Sequence, residues 1–158
     1  MNVGTAEVAS VEIQVSDEVV CECPADALLM KWAQAAVQTD QDAELTIRIV
    51  SSAEMQQSNL QWRGKDKPTN VLSFAAEFPP QAGVSYLGDI LICAEVLERE
   101  SIEQGKASND HWAHIVVHGV LHLQGFDHEN DHDARQMEQR EKELLATLGV
   151  ADPYRNDV

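Results

Sequence analysis

Two stretches that alternate apolar and polar residues flank a stretch with helical periodicity. Val11, Ile13 and Val15 alternate with Glu12, Gln14 and Ser16, and Leu45, Ile47 and Ile49 repeat the pattern. Period-two alternation predicts half-buried strands. Between them, from Ala25 to Val37 behind Pro24, the residues Leu28, Leu29, Trp32, Ala35 and Ala36 recur at helical spacing. They predict an amphipathic helix that opens beside a proline. Strand, helix and strand in that order predict a parallel pair joined by a right-handed crossover.

The remaining chain extends this start into an α+β domain. Ser51-Ser52-Ala53-Glu54 resembles a helix cap with an acidic first turn, so a short helix should run to about Leu60. The polar, basic segment from Gln61 to Asn70 then reads as a loop. Val71–Ala75 and Asp89–Cys93 predict two further strands, too close for a crossover helix and therefore antiparallel. Ala94 to Glu103 should be helical and stop at Gly105. A long helix capped by Asn109 or Asp110 should run through Gln124, with Gly125 just past its end, and a last helix should span Ala134 to Leu148. The expectation is one domain over residues 1–158, with a small mixed sheet of about four strands covered by helices.

Charge restricts the partners. The 158 residues carry 27 Asp+Glu against 11 Lys+Arg, a net charge of −16, which repels nucleic acid and membrane surfaces. From Arg48 to Ala76 the sign reverses: Arg48, Arg63, Lys65 and Lys67 face only Glu54 and Asp66, a net +2. No apolar run approaches the roughly 20 residues of a membrane span. The first ten residues lack the basic and apolar stretches of a secretory leader, so a cytoplasmic setting is expected. Cys21, Cys23 and Cys93 are odd in number and show no C-x-x-C spacing, which fits reduced thiols.

All six histidines fall between positions 111 and 132. His118 and His122 are four apart, which places two imidazoles on one helix face about 6 Å apart along the axis. His114 continues the stripe, but it stands about 12 Å of axis from His122, too far for all three to share one ion. Packing or support of a ligand suits His114 better, and His111 and His132 read as surface residues. Gly125 can take the left-handed conformation that turns the chain back, so His128 can supply the third ligand. The frame His118-x3-His122-x2-Gly125-x2-His128 has the open fourth position of a catalytic zinc site at the end of a long helix. Metzincin peptidases share this spacing but carry glutamate as general base after the first histidine, where this chain has Gly119. Asp127 and Glu129 stand nearby as substitutes for that base, as partners that orient a histidine, or as solvated residues.

The segment His118-Gly119-Val120-Leu121-His122-Leu123-Gln124-Gly125-Phe126-Asp127-His128 closely resembles the signature of the YbeY family of bacterial metal-dependent endoribonucleases. Arg63-Gly64-Lys65-Asp66-Lys67-Pro68-Thr69-Asn70-Val71-Leu72-Ser73-Phe74 is similar to that family's basic loop and following strand, and Leu87-Gly88-Asp89-Ile90 to another recurrent strand start. Phe126 stands where many members carry tyrosine. The resemblance implies a single-strand-specific endoribonuclease acting in ribosomal RNA maturation, at the 3′ end of 16S RNA, and in ribosome quality control. It further implies one Zn2+ per chain on His118, His122 and His128, a functional Arg63, and partnership with the small ribosomal subunit and its assembly proteins.

These residues suit phosphodiester chemistry. Arg63 can grip phosphate with two parallel donors, and Lys65 and Lys67 can guide an RNA backbone or simply solvate a turn. Trp62 can stack on a base but reads as packed, and Asp89 reads as structural. Two other readings stand beside the nuclease: a metzincin-like peptide or amide hydrolase, and a non-catalytic ribosome-assembly factor with a structural metal whose acidic face meets basic proteins.

Overall fold

The computed structural model describes residues 9–38, 42–76, 84–126 and 130–154. The first expected unit forms as β1 (Ala9–Val15), α1 (Asp26–Ala36) and β2 (Asp42–Val50), with β1 and β2 parallel. Next come α2 (Ser52–Arg63), β3 (Val71–Ala75) and β4 (Val84–Cys93). Three helices follow: α3 (Ala94–Gln104), α4 (Ser108–Leu123) and α5 (Asp131–Thr147). The sheet has the order β1-β2-β4-β3. Its β2–β4 pair is parallel and its β3–β4 pair antiparallel, which makes the sheet mixed and leaves β3 at an edge.

Strand parity divides the apolar residues between two faces. Leu45, Ile47 and Ile49 of β2 and Ile90 and Ile92 of β4 join Leu29, Trp32, Ala33 and Ala36 of α1 and Trp112, Val116 and Val120 of α4 in the main core. Val50, Leu72 and Cys93, of opposite parity, meet Met55 of α2 and Val96 of α3 in a smaller cluster. The large core thus lies under α1 and α4, and α2 covers part of the other face. Beside α2 that second face stays open as a cleft of about 880 Å³, lined among others by Arg48, Trp62, Arg63, Phe74 and Tyr86.

Several boundaries differ from expectation, each for a local reason. At the start of α2, Ser51 Oγ accepts the Glu54 N–H at 3.2 Å while Glu54 Oε1 accepts the Ser51 N–H at 3.0 Å, a full capping box. The helix runs on to Arg63 because Gly64, at φ 72°, closes it, so Gln61, Trp62 and Arg63 are helical rather than part of the loop. Helix α4 begins at Ser108 behind Ala107, without a side-chain cap from Asn109 or Asp110. Asn130 caps α5, which therefore starts at Asp131, ahead of Ala134. Strand β4 begins at Val84, and its register to β2 shifts so that Leu87 is an extra residue beside Gly88. The three cysteines are free thiols, as their number and spacing predict. Among the described residues, no helix is long and apolar enough to cross a membrane.

Candidate metal centre and RNA-binding edge

Helix α4 carries the histidine row and is fastened to the sheet and to α1. Its end forms a double-bonded turn: the Gly125 N–H donates to His122 O at 3.1 Å and the Phe126 N–H to Leu121 O at 3.2 Å, with Gly125 at φ 98°. The left-handed turn expected at Gly125 is therefore present. Gln124 ties this end to α1, donating to Ala36 O at 2.8 Å and accepting the Gln38 N–H at 2.7 Å. His128, Asp127 and Glu129, the next residues of interest, lie outside the described residues.

His118 and His122 lie one turn apart with ring centroids at 6.1 Å and ring planes at 81°. A residue that the histidine spacing does not single out stands behind them. Glu141 of α5 is fully buried, and its Oε2 accepts a hydrogen bond from His118 Nδ1 at 2.7 Å. His114 Nε2 lies 3.5 Å from the same oxygen, and the Tyr154 hydroxyl donates to Oε1. Burial alone would raise the pKa of this carboxyl. The hydrogen bonds from His114 and His118, the His118 charge and the tyrosine bond outweigh it and bring the value down to about 2. Burial and the neighbouring Glu141 raise the Tyr154 phenol, which stays protonated as a donor.

The sequence does hold a signal for Glu141. Met137, Glu141 and Leu145 are the buried stripe of α5, so a glutamate occupies the apolar phase of an amphipathic helix. An acidic residue there is rarely buried without a partner.

His114, His118 and Glu141 present ligand atoms within 4.8 Å of one another, a group whose chemistry suits a divalent cation. As arranged, these side chains hydrogen-bond to each other. The 2.7 Å separation of His118 Nδ1 and Glu141 Oε2 is a hydrogen-bond length. Two donors on one tetrahedral zinc would stand about 3.3 Å apart. A hydrogen on Nδ1, directed at Glu141, leaves Nε2 as the ring nitrogen that can ligate a cation.

The other histidines sort clearly. His114 is 13% exposed at its side chain and packs between Glu141 and Tyr154. His132 is exposed, as expected. His111 is not a surface residue: it is buried under α3 and bonds Glu100 Oε1 through Nε2 at 2.9 Å. Burial lowers its pKa, against the pull of Glu100.

Arg63 ends α2 at the free edge of β3. One Nη2 hydrogen donates to Ser73 O at 3.2 Å, and the guanidinium carbon sits 5.2 Å from the centre of the Phe74 ring. Ser73 also donates through Oγ to Gly119 O at 3.3 Å. A single edge residue therefore links the arginine to the helix turn that carries His118. Trp62, expected to be packed, is 59% exposed: it touches Phe74 edge-on at 6.0 Å and stands in the wall of the open cleft. Asp89 lies inside β4 rather than at its start and accepts the Tyr86 hydroxyl at 2.6 Å.

Comparison with known proteins places these features in a family. The solved structure of TM1509 from Thermotoga maritima has a TM-score of 0.54 at 21% identity, over 93% of this chain and 100% of that one, a likeness of fold. The sequence model of the family described as Endoribonuclease YbeY matches residues 12–149. A match that runs from β1 through the sheet and α4 to the end of α5 rests on far more than one histidine motif, and by it the chain belongs to the YbeY endoribonuclease family.

Proposed function

We propose that this chain is a zinc-dependent endoribonuclease, a single domain over residues 1–158, that cuts single-stranded RNA in ribosomal RNA maturation, including the 3′ end of 16S RNA, and in ribosome quality control. In this reading His118, His122 and His128 hold one Zn2+ per chain and Arg63 binds the phosphate being cut. The work is cytoplasmic, beside the small ribosomal subunit and its assembly proteins, whose basic surfaces suit the acidic face of this chain. Membership of an endoribonuclease family supports the reaction class.

The observation that carries the metal reading is the buried Glu141 carboxylate on His118 Nδ1. A carboxylate behind the far ring nitrogen is the usual support of a metal-bound histidine, because it fixes the tautomer and the ring plane. When bound, the cation supplies Lewis acidity and a water of lowered pKa.

The chain's own residues supply orientation and charge. Glu141 holds His118 so that Nε2 is the basic nitrogen. The left-handed turn at Gly125 ends α4 just past His122, and a return of His128 to that helix face needs such a turn. Arg63 has five N–H donors, of which Ser73 takes one, and so retains a fork for a phosphate. Phe74 under the guanidinium and the bond to Ser73 hold that fork at the β3 edge, two hydrogen bonds from the backbone of Gly119.

A second cation position, on His114, His118 and Glu141, is favoured by the closeness of their ligand atoms. One set of variants separates the two. Elemental analysis of wild type should give about one zinc per chain; His118→Ala should lose it in either case. His122→Ala should also lose zinc if the histidine frame is correct, and keep it if the second position is. Arg63→Ala should retain zinc while single-strand cleavage falls about 10²-fold or more, the scale of losing one donor to a transition state. Full cleavage by metal-free His118→Ala protein would overturn the metal's role.

A further inference from the structure

The C-terminal segment reaches the histidine row through one side chain. Tyr154 lies beyond residue 149, where the match to the family ends. Its hydroxyl donates to Glu141 Oε1, and the phenolic oxygen stands 3.2 Å from His114 Nε2. The rings of Tyr154 and His114 meet edge-on at 5.4 Å and 82°. The segment is held in place from several sides: Lys106 Nζ donates to Pro153 O at 3.0 Å, the Tyr154 N–H donates to Asp152 Oδ1 at 2.8 Å, and Lys142 Nζ lies 3.9 Å from Asp152.

A carboxylate with one anchored oxygen can turn about its last torsion, which has a broad, two-fold profile. Anchoring each oxygen on a different partner stops that rotation. Glu141 has this arrangement, with Oε2 on His118 and Oε1 on Tyr154. Without the tyrosine hydroxyl, a fully buried Oε1 would lose its donor. A buried acceptor left unpaired is costly, so the carboxylate would turn to seek another donor, and His114 Nε2, 3.5 Å from Oε2, stands beside it to draw Oε2 off His118.

We propose that Tyr154 is a positioning residue for the metal centre, acting through Glu141: by engaging Oε1 it keeps Oε2 on His118 Nδ1–H and so aims Nε2 at the cation. The inference rests on the reading of His118 as a metal ligand. It adds the C-terminal segment to the site.

The test uses the full chain as wild type, Tyr154→Phe, Glu141→Gln and the double variant. Zinc affinity is measured by competition with a chromophoric chelator, and Co2+ is titrated to read ligand geometry from its visible absorption. Tyr154→Phe should weaken zinc binding about tenfold, the lower end of the loss on removing such support, and alter the Co2+ band. Glu141→Gln should cost more. In the Glu141→Gln background, Tyr154→Phe should add less than about twofold, because residues acting in one network are not additive.

Equal affinity of Tyr154→Phe and wild type would overturn the proposal, and so would the same loss in both backgrounds. A lower melting temperature of metal-free Tyr154→Phe with unchanged affinity would mark the tyrosine as structural and overturn it too. Tighter binding by Tyr154→Phe would show that the tyrosine competes with the cation for Glu141, and the positioning role would again be refuted. Failure of the underlying reading appears elsewhere, in wild type that takes up no metal or in His118→Ala that binds as tightly as wild type.

Discussion

A Cβ at position 119 would stand 3.2 Å from Ile90 Cδ1 and Cγ2 and 3.4 Å from Ser73 Oγ. Helix α4 presses this face onto the sheet, so the position beside His118 points at the core. The glutamate that a metzincin peptidase needs there would be driven against Ile90, which argues by packing against that reading of the histidine frame. His111 shows the same power of burial over a titrating side chain. Its pKa is lowered from 6.5 first by burial and further by His114 and Lys106, while Glu100 opposes. The folded state therefore binds the proton less readily than the unfolded chain. The stability from neutral His111 is complete above pH 6.5 and is lost as pH falls below it towards the folded pKa. Wild type should lose melting temperature from about pH 7 to about pH 5 more steeply than His111→Gln, which retains a donor for Glu100. Parallel pH profiles of the two would refute this assignment.

Among elements, β4 and α4 set the site, and glycines control how closely they approach. Gly88 has φ 141°, and a Cβ there would lie 2.2 Å from Phe74 O and 2.9 Å from Leu123 Cδ2. Gly105 also has positive φ, 66°, but a Cβ there would meet nothing within 4 Å. Gly105→Ala should therefore cost only backbone strain, about 1–2 kcal/mol, whereas Gly88→Ala should cost at least about 3 kcal/mol and shift the end of α4. Urea unfolding of both variants measures the contrast; equal midpoints would mean that the close approach at Gly88 is not what it holds. Local and long-range contacts also differ in how legible they are in the sequence. The strand-helix-strand start, the antiparallel β3–β4 pair and the turn at Gly125 follow from local periodicity and glycine chemistry. His118 and His122 are equally readable, since four-residue spacing fixes their relation within one helix. The extension of α2 to Arg63 turns on where Gly64 closes it, and boundaries of that kind carry little periodic signal. Glu141 and Tyr154 reach the histidines from 23 and 40 positions away, through packing of α5 and the C-terminal segment on α4. No spacing rule encodes such a contact, although a charge inside the Met137–Leu145 stripe marks one end of it.

At the scale of the whole molecule two electrostatic effects oppose each other when RNA approaches. The chain carries −16 overall, so its long-range field repels a polyanion. Just past α2, Arg63, Lys65 and Lys67, with Asp66 among them, form a local run of net +2, of which Arg63 reaches the β3 edge, while Arg48 is partly occupied by Glu54 at 3.9 Å. Screening separates the two by distance. At about 0.1 M salt the Debye length is about 10 Å, so the distant acidic surface is largely hidden, while a phosphate held by Arg63, as proposed, would not be. Below that concentration the repulsion reaches further, and above it counterion release weakens the contacts themselves. Affinity for a short, non-cleavable single-stranded RNA should therefore pass through a maximum near ~0.1 M. Above the maximum, three phosphate contacts give a slope of log affinity against log salt of about −2, from about −0.7 per contact on a single strand. Arg63→Ala should make that slope shallower by about 0.7 and leave the rising limb below ~0.1 M unchanged, because the net charge barely moves. Binding titrations across the salt range read both limbs. A curve that falls monotonically from the lowest salt would mean that the acidic body does not oppose RNA at this edge, and an unchanged slope in Arg63→Ala would place the phosphate contacts elsewhere.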